Sequence, residues 1–222
     1  NNKIGLHFHC NSITRSLSVY HKLAEYAKLI IKKYEILPSF IDIGGGFFGG
    51  VEGKPTATEY IKVIHEVLKD TVDIKDTKLV VEPGSAIIGS AVEFHTSIID
   101  VKDTNKSRIV TTDGSRINID PLWSKKRYVH RIEMNSCSNY TIRKQIICGY
   151  TCMDHDRIMT LMNEKKLSIG DKIAYKKIGS YSMTFGGPFI KYFPEVYVKN
   201  EDNIVLVRKK MGVEDYYEIQ TE

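Results

Sequence analysis

No uninterrupted apolar run in this chain approaches the roughly 20 residues that a membrane-spanning helix needs, so no membrane partner is expected. Its four cysteines, Cys10, Cys137, Cys148 and Cys152, show no paired C-x-x-C spacing of the zinc-binding kind and suggest no secreted disulfide framework. Reduced thiols and no metal are the expectation. Basic residues are not gathered into a stripe with interleaved aromatics. The formal net charge of +5 is spread over short clusters such as Lys32-Lys33, Lys125-Lys126-Arg127 and Lys176-Lys177. That argues against a nucleic-acid partner, while a modest positive balance suits a site that holds a small anion. Repeats and low-complexity linkers are absent. The opening Asn1-Asn2-Lys3-Ile4-Gly5 bears no likeness to a signal peptide, which makes a cytoplasmic protein the expectation.

What is present is enough for one large domain or two modest ones: 222 residues, 42% of them hydrophobic. The first 90 or so alternate short apolar strands with amphipathic helices. Ile4 to Phe8 reads as a buried strand. Leu17, Tyr20, Leu23, Ala24, Ala27, Ile30 and Ile31 then fall at helical spacing, with Ser12, Thr14 or Ser16 as caps and Pro38 as the stop. Phe40 to Ile43 is a second strand. Tyr60, Ile61, Ile64, Val67 and Leu68 form a second helical stripe, and Leu79 to Val81 a third strand. This order predicts a parallel sheet or a piece of a β/α barrel. After about Gly89 the pattern changes to short strands separated by turn signals such as Asp113-Gly114 and Gly170-Asp171. Only Asp156 to Asn163 reads as helix. A mainly antiparallel β domain over 91–222 follows from 1–90.

Each of the three early strands ends in polar or glycine-rich residues: His9-Cys10-Asn11-Ser12, then Gly44-Gly45-Gly46-Phe47, then Glu82-Pro83-Gly84-Ser85. In β/α barrels the loops after the strands' C-terminal ends form the active-site face. Glycines there let backbone N–H groups converge on an anion, and a serine hydroxyl adds a donor. A carboxylate at the next strand end can hold a heteroaromatic nitrogen protonated.

Five segments carry a resemblance. Phe8-His9-Cys10-Asn11-Ser12 resembles F-H-x-G-S. Ile41-Asp42-Ile43-Gly44-Gly45-Gly46-Phe47 resembles L-D-I-G-G-G-F, and Glu82-Pro83-Gly84 the start of E-P-G-R. Gly149 to Asp156 is similar to G-P-x-C-[DE]-x-x-D, and Gly170-Asp171 with Gly179-Ser180-Tyr181-Ser182 to G-D…G-A-Y-[ST]. In this order they resemble the fold type III pyridoxal-phosphate-dependent decarboxylases, the family of the ornithine, diaminopimelate and arginine enzymes. The resemblance implies the C-terminal part of a TIM-like, alanine-racemase-type barrel, its last three βα units over 1–90, with a β domain over 91–222. It implies pyridoxal 5'-phosphate as cofactor, an amino-acid substrate, and a homodimer with shared active sites. His9 would stack on the cofactor ring, Ser12 and Tyr181 would contact its phosphate, Gly44, Gly45 and Gly46 would cradle that phosphate, and Glu82 would pair with the ring nitrogen. Cys152 would return a proton to the substrate across the dimer interface, so Cys152 and His9 are the implied catalytic residues. Asp120, Met153 and Asp156 are candidate substrate contacts, although a turn-capping role suits Asp120 equally.

The departures from the family are as informative. Ser85 stands where the family has an arginine, so one charged phosphate contact is missing or supplied elsewhere. Met153 stands where ornithine- and diaminopimelate-type members carry an acid, and a thioether cannot pair with a cation. Gly186-Gly187-Pro188-Phe189 replaces F-N-G-F. No lysine has the A-x-K-A-N neighbours of the family's Schiff-base lysine. The expectation is therefore the C-terminal portion of a longer decarboxylase, with an N-terminal barrel segment missing. Two alternatives share the fold: an inactive homologue acting as a binding or regulatory partner, and an amino-acid racemase.

Overall fold

A computed structural model describes residues 3–10, 15–73, 75–135 and 139–221. The chain divides into two compact units. One comprises residues 1–93 with 176–180, the other 94–175 with 181–222.

The first unit is a three-stranded parallel sheet in the order β1 (Gly5–Phe8), β2 (Phe40–Ile43), β3 (Lys78–Val81). Helices α1 (Leu17–Tyr34) and α2 (Ala57–Leu68) connect the strands. The register runs straight across: Leu6 opposes Ile41, which opposes Leu79, and Phe8, Ile43 and Val81 align one step further on. Because side chains alternate along a strand, these six pack with Tyr20, Ala24, Ala27, Ile31, Tyr60, Ile64 and Leu68 of the helices into one core. The opposite face carries Gly5 and His7, Phe40 and Asp42, then Lys78 and Val80.

Helix α2 opens on a full capping box. The Thr56 hydroxyl accepts from the Glu59 N–H, and the Glu59 carboxylate accepts from the Thr56 N–H at 2.7 Å. Helix α1 departs from expectation at both ends. Ser16 is its N-cap residue but makes no side-chain cap bond. Its C-terminus comes at Tyr34, where Glu35 turns left-handed (φ 53°) and its N–H bonds the Ile31 carbonyl. Pro38 lies beyond that stop, so the left-handed residue and not the proline ends the helix. After β3 come α3 (Ser85–Ile88) and a 3₁₀ turn (Gly89–Ala91).

In the second unit, β4 (Phe94–Asp103), β5 (Arg108–Thr112), α4 (Arg116–Ile119), β6 (Val129–Glu133), β7 (Thr141–Cys148), β8 (Arg157–Lys165) and β9 (Lys172–Lys176) follow in order. The six strands form one sheet, ordered β6-β9-β4-β5-β7-β8. Pairs β4–β9, β4–β5 and β7–β8 are antiparallel, while β5 and β7 run parallel. The short α5 (Gly179–Ser182) bridges the division between units, and a hairpin of β10 (Val196–Asn200) and β11 (Asn203–Arg208) precedes α6 (Val213–Thr221). The segment expected to be helical, Asp156 to Asn163, is instead the turn and most of β8. Its Arg, Met and Leu content favours helix locally, but pairing with β7 from Arg157 to Lys165 overrides that preference. Strand β6 and the helices α3 to α6 are too short or too polar to stand out as periodic segments.

Among the described residues, no helix is long and apolar enough to cross a membrane.

Candidate functional site

The three strand ends of the first unit meet. The Gly44 N–H donates to the Phe8 carbonyl (2.8 Å), carrying the β1–β2 ladder one step past the strands. That step puts His9, Gly44 and Glu82 side by side. A Cβ on Gly44 would lie 2.8 Å from His9 Nδ1, 3.0 Å from Glu82 Oε2 and 3.0 Å from His7 Cε1. Only glycine leaves this space open. The ligating atoms of His7, His9 and Glu82 all lie within 4.8 Å of one another, and all three residues are exposed.

His7 was not singled out from the sequence. Its Nδ1 lies 2.9 Å from Asp42 Oδ2, and its ring stacks on that of His9 with centroids 6.2 Å apart. The Asp42–His7 pair thus supports the His9 imidazole from one tier below. Alternation along β1 could have revealed it, since His7 and His9 are two residues apart and share a face.

The glycine loop rests on a buried aromatic cluster. Phe47 and Tyr60 are stacked at 4.4 Å, and Tyr20 meets both edge-on at 5.2 and 4.8 Å. The Tyr20 hydroxyl donates to the Gly46 carbonyl at 2.9 Å. Burial pushes that phenol up to about 12, so it keeps its proton at neutral pH and remains a donor. Gly45 has φ +93°, a conformation costly for any residue with a Cβ. The Phe47 N–H bonds the Pro83 carbonyl (3.1 Å) and ties the loop to the end of β3.

A second residue missed from the sequence is Arg15. Its Nη1 donates to Ser85 Oγ at 2.7 Å and to the Phe47 carbonyl at 3.3 Å. The one sequence signal for it is indirect: a serine at 85 leaves the site short of a cation. Ser12, expected in this site, lies outside the described residues.

The remaining candidates belong to the second unit. Cys152 is exposed on the turn before β8, and Met153 beside it is half-buried. By contrast, burial raises the half-buried Cys148 thiol above its usual range, which keeps it protonated. Asp156 is 1% exposed and fully engaged. It accepts from Ser115 Oγ (2.9 Å), the Arg116 N–H (2.7 Å), the Thr151 N–H (3.1 Å) and Thr151 Oγ1 (2.6 Å). Asp120 is equally occupied, accepting from the Arg116 guanidinium, Tyr128 Oη and the N–H groups of Ser124 and Lys125. Those are the bonds of a turn-capping carboxylate. Tyr181 is 57% exposed, with φ 64° and its ring edge-on to Phe185 at 6.3 Å.

The ends of this parallel βα sheet thus bring together a glycine loop, an imidazole and a carboxylate, groups able to face an anion and a heteroaromatic ring. Residues 2–89 match the family model described as pyridoxal-dependent decarboxylase, pyridoxal binding domain. The chain is 24% identical over 225 residues to diaminopimelate decarboxylase of Helicobacter pylori strain J99, covering 99% of this chain and 55% of that protein. It is also 24% identical over 215 residues to the Aquifex aeolicus enzyme of the same name, covering 93% and 50%. The crystal structure of the Helicobacter pylori enzyme complexed with L-lysine has the same fold at TM-score 0.75, with 22% identity over 98% of this chain and 54% of that one. Residues 2–89 are thus similar to the pyridoxal-binding domain of that decarboxylase family, and the chain spans about half the length of the relatives it matches.

The residues present suit pyridoxal phosphate. The opening at Gly44, which a Cβ would fill, lies between an imidazole able to stack on a ring and a carboxylate able to pair with a ring nitrogen. A glycine loop with a guanidinium at its rim offers N–H donors that could face an anion.

Proposed function

We propose that this chain is part of a pyridoxal-phosphate-dependent enzyme that removes the α-carboxylate of an amino acid, and that its three parallel strands are a section of a β/α barrel completed by sequence outside this chain. The convergence of His9, Glu82 and the Gly44–Gly46 loop, inside the segment that matches the pyridoxal-binding family, carries the reading. Bound there, the cofactor would supply the electron sink for the pair released when the carboxylate leaves as carbon dioxide. Glu82 would hold the ring nitrogen protonated. His9, steadied by the Asp42–His7 pair, would cover one face of the ring, and the glycine loop would fix the phosphate. Cys152 would return a proton to the substrate from the partner subunit of a homodimer, a role its exposure allows. Asp120 and Asp156, saturated by their own chain, would shape the turns that present Cys152 and Met153.

The relatives named above are diaminopimelate decarboxylases, whereas Met153 offers no charge to a cationic distal group. We therefore assign a substrate with a neutral or bulky distal end.

The test is carbon dioxide release by the complete protein across a panel of amino acids. Glu82→Gln should lower turnover about a hundredfold, roughly 2.7 kcal/mol in the barrier, with cofactor still bound. Loss of optical activity without carbon dioxide would mean a racemase. No turnover of any kind would favour the inactive homologue.

A further inference from the structure

The guanidinium of Arg15 is held in place more firmly than surface arginines usually are. Nη1 donates to Ser85 Oγ (2.7 Å) and to the Phe47 carbonyl (3.3 Å), and Cζ stands 5.7 Å from the centroid of the Phe48 ring. The backbone of Arg15 is fixed as well, since the Tyr60 hydroxyl donates to its carbonyl at 2.5 Å. Tyr60 is itself fully buried in the aromatic cluster beneath the glycine loop. The head group lies against that loop. A Cβ on Gly46 would come within 3.3 to 3.4 Å of Arg15 Cζ, Nε and Nη2.

Ser85 is the residue that makes this possible. An arginine at position 85 would bring a second guanidinium to where Arg15 now sits, and two like charges at contact distance repel. A serine is neutral and short, and its hydroxyl accepts the Arg15 N–H. Positions 15 and 85 thus share one seat for one cation.

We propose that Arg15 is the charged partner of the phosphate in this site, with Ser85 as its tether, so that a cation found elsewhere in the family on the β3 end is here delivered from the segment leading into α1. This rests on the cofactor site proposed above. A guanidinium suits the task because its planar donors match the oxygens of a phosphate monoester in pairs. The glycine loop beside it lets such a group approach without meeting a Cβ.

The experiment uses two probes that lack the aldehyde and so cannot bond to any lysine: pyridoxine 5'-phosphate and pyridoxine. Both are titrated calorimetrically into the complete protein and its variants. Arg15→Gln should weaken pyridoxine 5'-phosphate by about tenfold to a hundredfold, the usual consequence of losing a charge-assisted hydrogen bond, and leave pyridoxine unchanged. Arg15→Gln combined with Ser85→Arg should recover most of the loss, because the cation returns to the same seat from the other side. Arg15→Lys, which keeps the charge but not the paired donors, should lose an intermediate amount. It also serves as the test should Arg15→Gln fail to fold. Equal losses for both probes would assign Arg15 a structural role and overturn the inference. So would a phosphate preference that survives Arg15→Gln, although the cofactor site would then stand. A wild-type protein that binds neither probe, or does not prefer the phosphorylated one, would sink the cofactor site and this inference together.

Discussion

At the scale of single residues, neighbouring glycines of one loop serve different ends. Gly45 is required by the backbone, since its φ of +93° strains any other residue, and a Cβ would also lie 3.2 Å from the Cys10 carbonyl. Gly44 has no such strain. Its Cβ would meet the tips of His9, Glu82 and His7, which can swing aside. Gly45→Ala is therefore expected to lower stability by on the order of 1–3 kcal/mol. Gly44→Ala should leave stability within about 1 kcal/mol and weaken cofactor binding instead. Denaturant unfolding and pyridoxine 5'-phosphate titration on both variants separate the two effects. A Gly44→Ala protein with normal affinity would show that the opening is not where the ring lies. This contrast explains what could be read beforehand. The glycine triplet, His9 and Glu82 were legible because each stands at a strand end, in an order that repeats a family pattern. His7 and Arg15 were not. Their roles depend on Asp42 and Ser85, which are 35 and 70 positions away and meet them only through the fold.

At the scale of elements, strands and helices with a clear period were read to within a few residues, and α2 and β2 are examples. Strand β8 was not, because its composition favours helix and only the pairing with β7 decides otherwise. The turn before β8 shows how this pairing is anchored. Asp156 joins the end of β7 to the start of α4 through bonds to Thr151, Ser115 and the Arg116 N–H. Gly149 leaves room for its carboxyl group, which any side chain there would strike. A carboxylate accepts all four of these bonds. The amide of asparagine would turn an NH₂ either towards the Arg116 N–H or towards the three donors from Ser115 and Thr151. Asp156→Asn should thus cost about 2–4 kcal/mol and loosen the Thr151 to Asp156 turn, seen as a lower denaturation midpoint and faster amide exchange there. A loss below about 1 kcal/mol would mean that the turn is held by its backbone alone.

For the whole molecule, the chain divides after Glu93, and the return of residues 176–180 to the first unit had no sequence signal. That return depends on close approach: the Ile178 N–H bonds the Val92 carbonyl at 3.2 Å, and Gly179 packs against the Ile88 carbonyl where a Cβ could not fit. The proposed assembly adds a further level, because Glu82 and Cys152 are assigned to one active site but to different subunits. If so, each of two inactive variants carries what the other lacks. Glu82→Gln and Cys152→Ala, co-expressed with different tags, should form mixed dimers in about half of all pairings, each with one intact site and one doubly damaged one. Activity of the mixture should then reach about a quarter of wild type, while the tandem-purified heterodimer should reach about half. Cys152→Ala alone should keep its cofactor and its stability, since an exposed thiol contributes little packing. Heterodimers as inactive as either parent would show that each chain draws Glu82 and Cys152 from itself, and the shared-site assignment of Cys152 would have to be withdrawn.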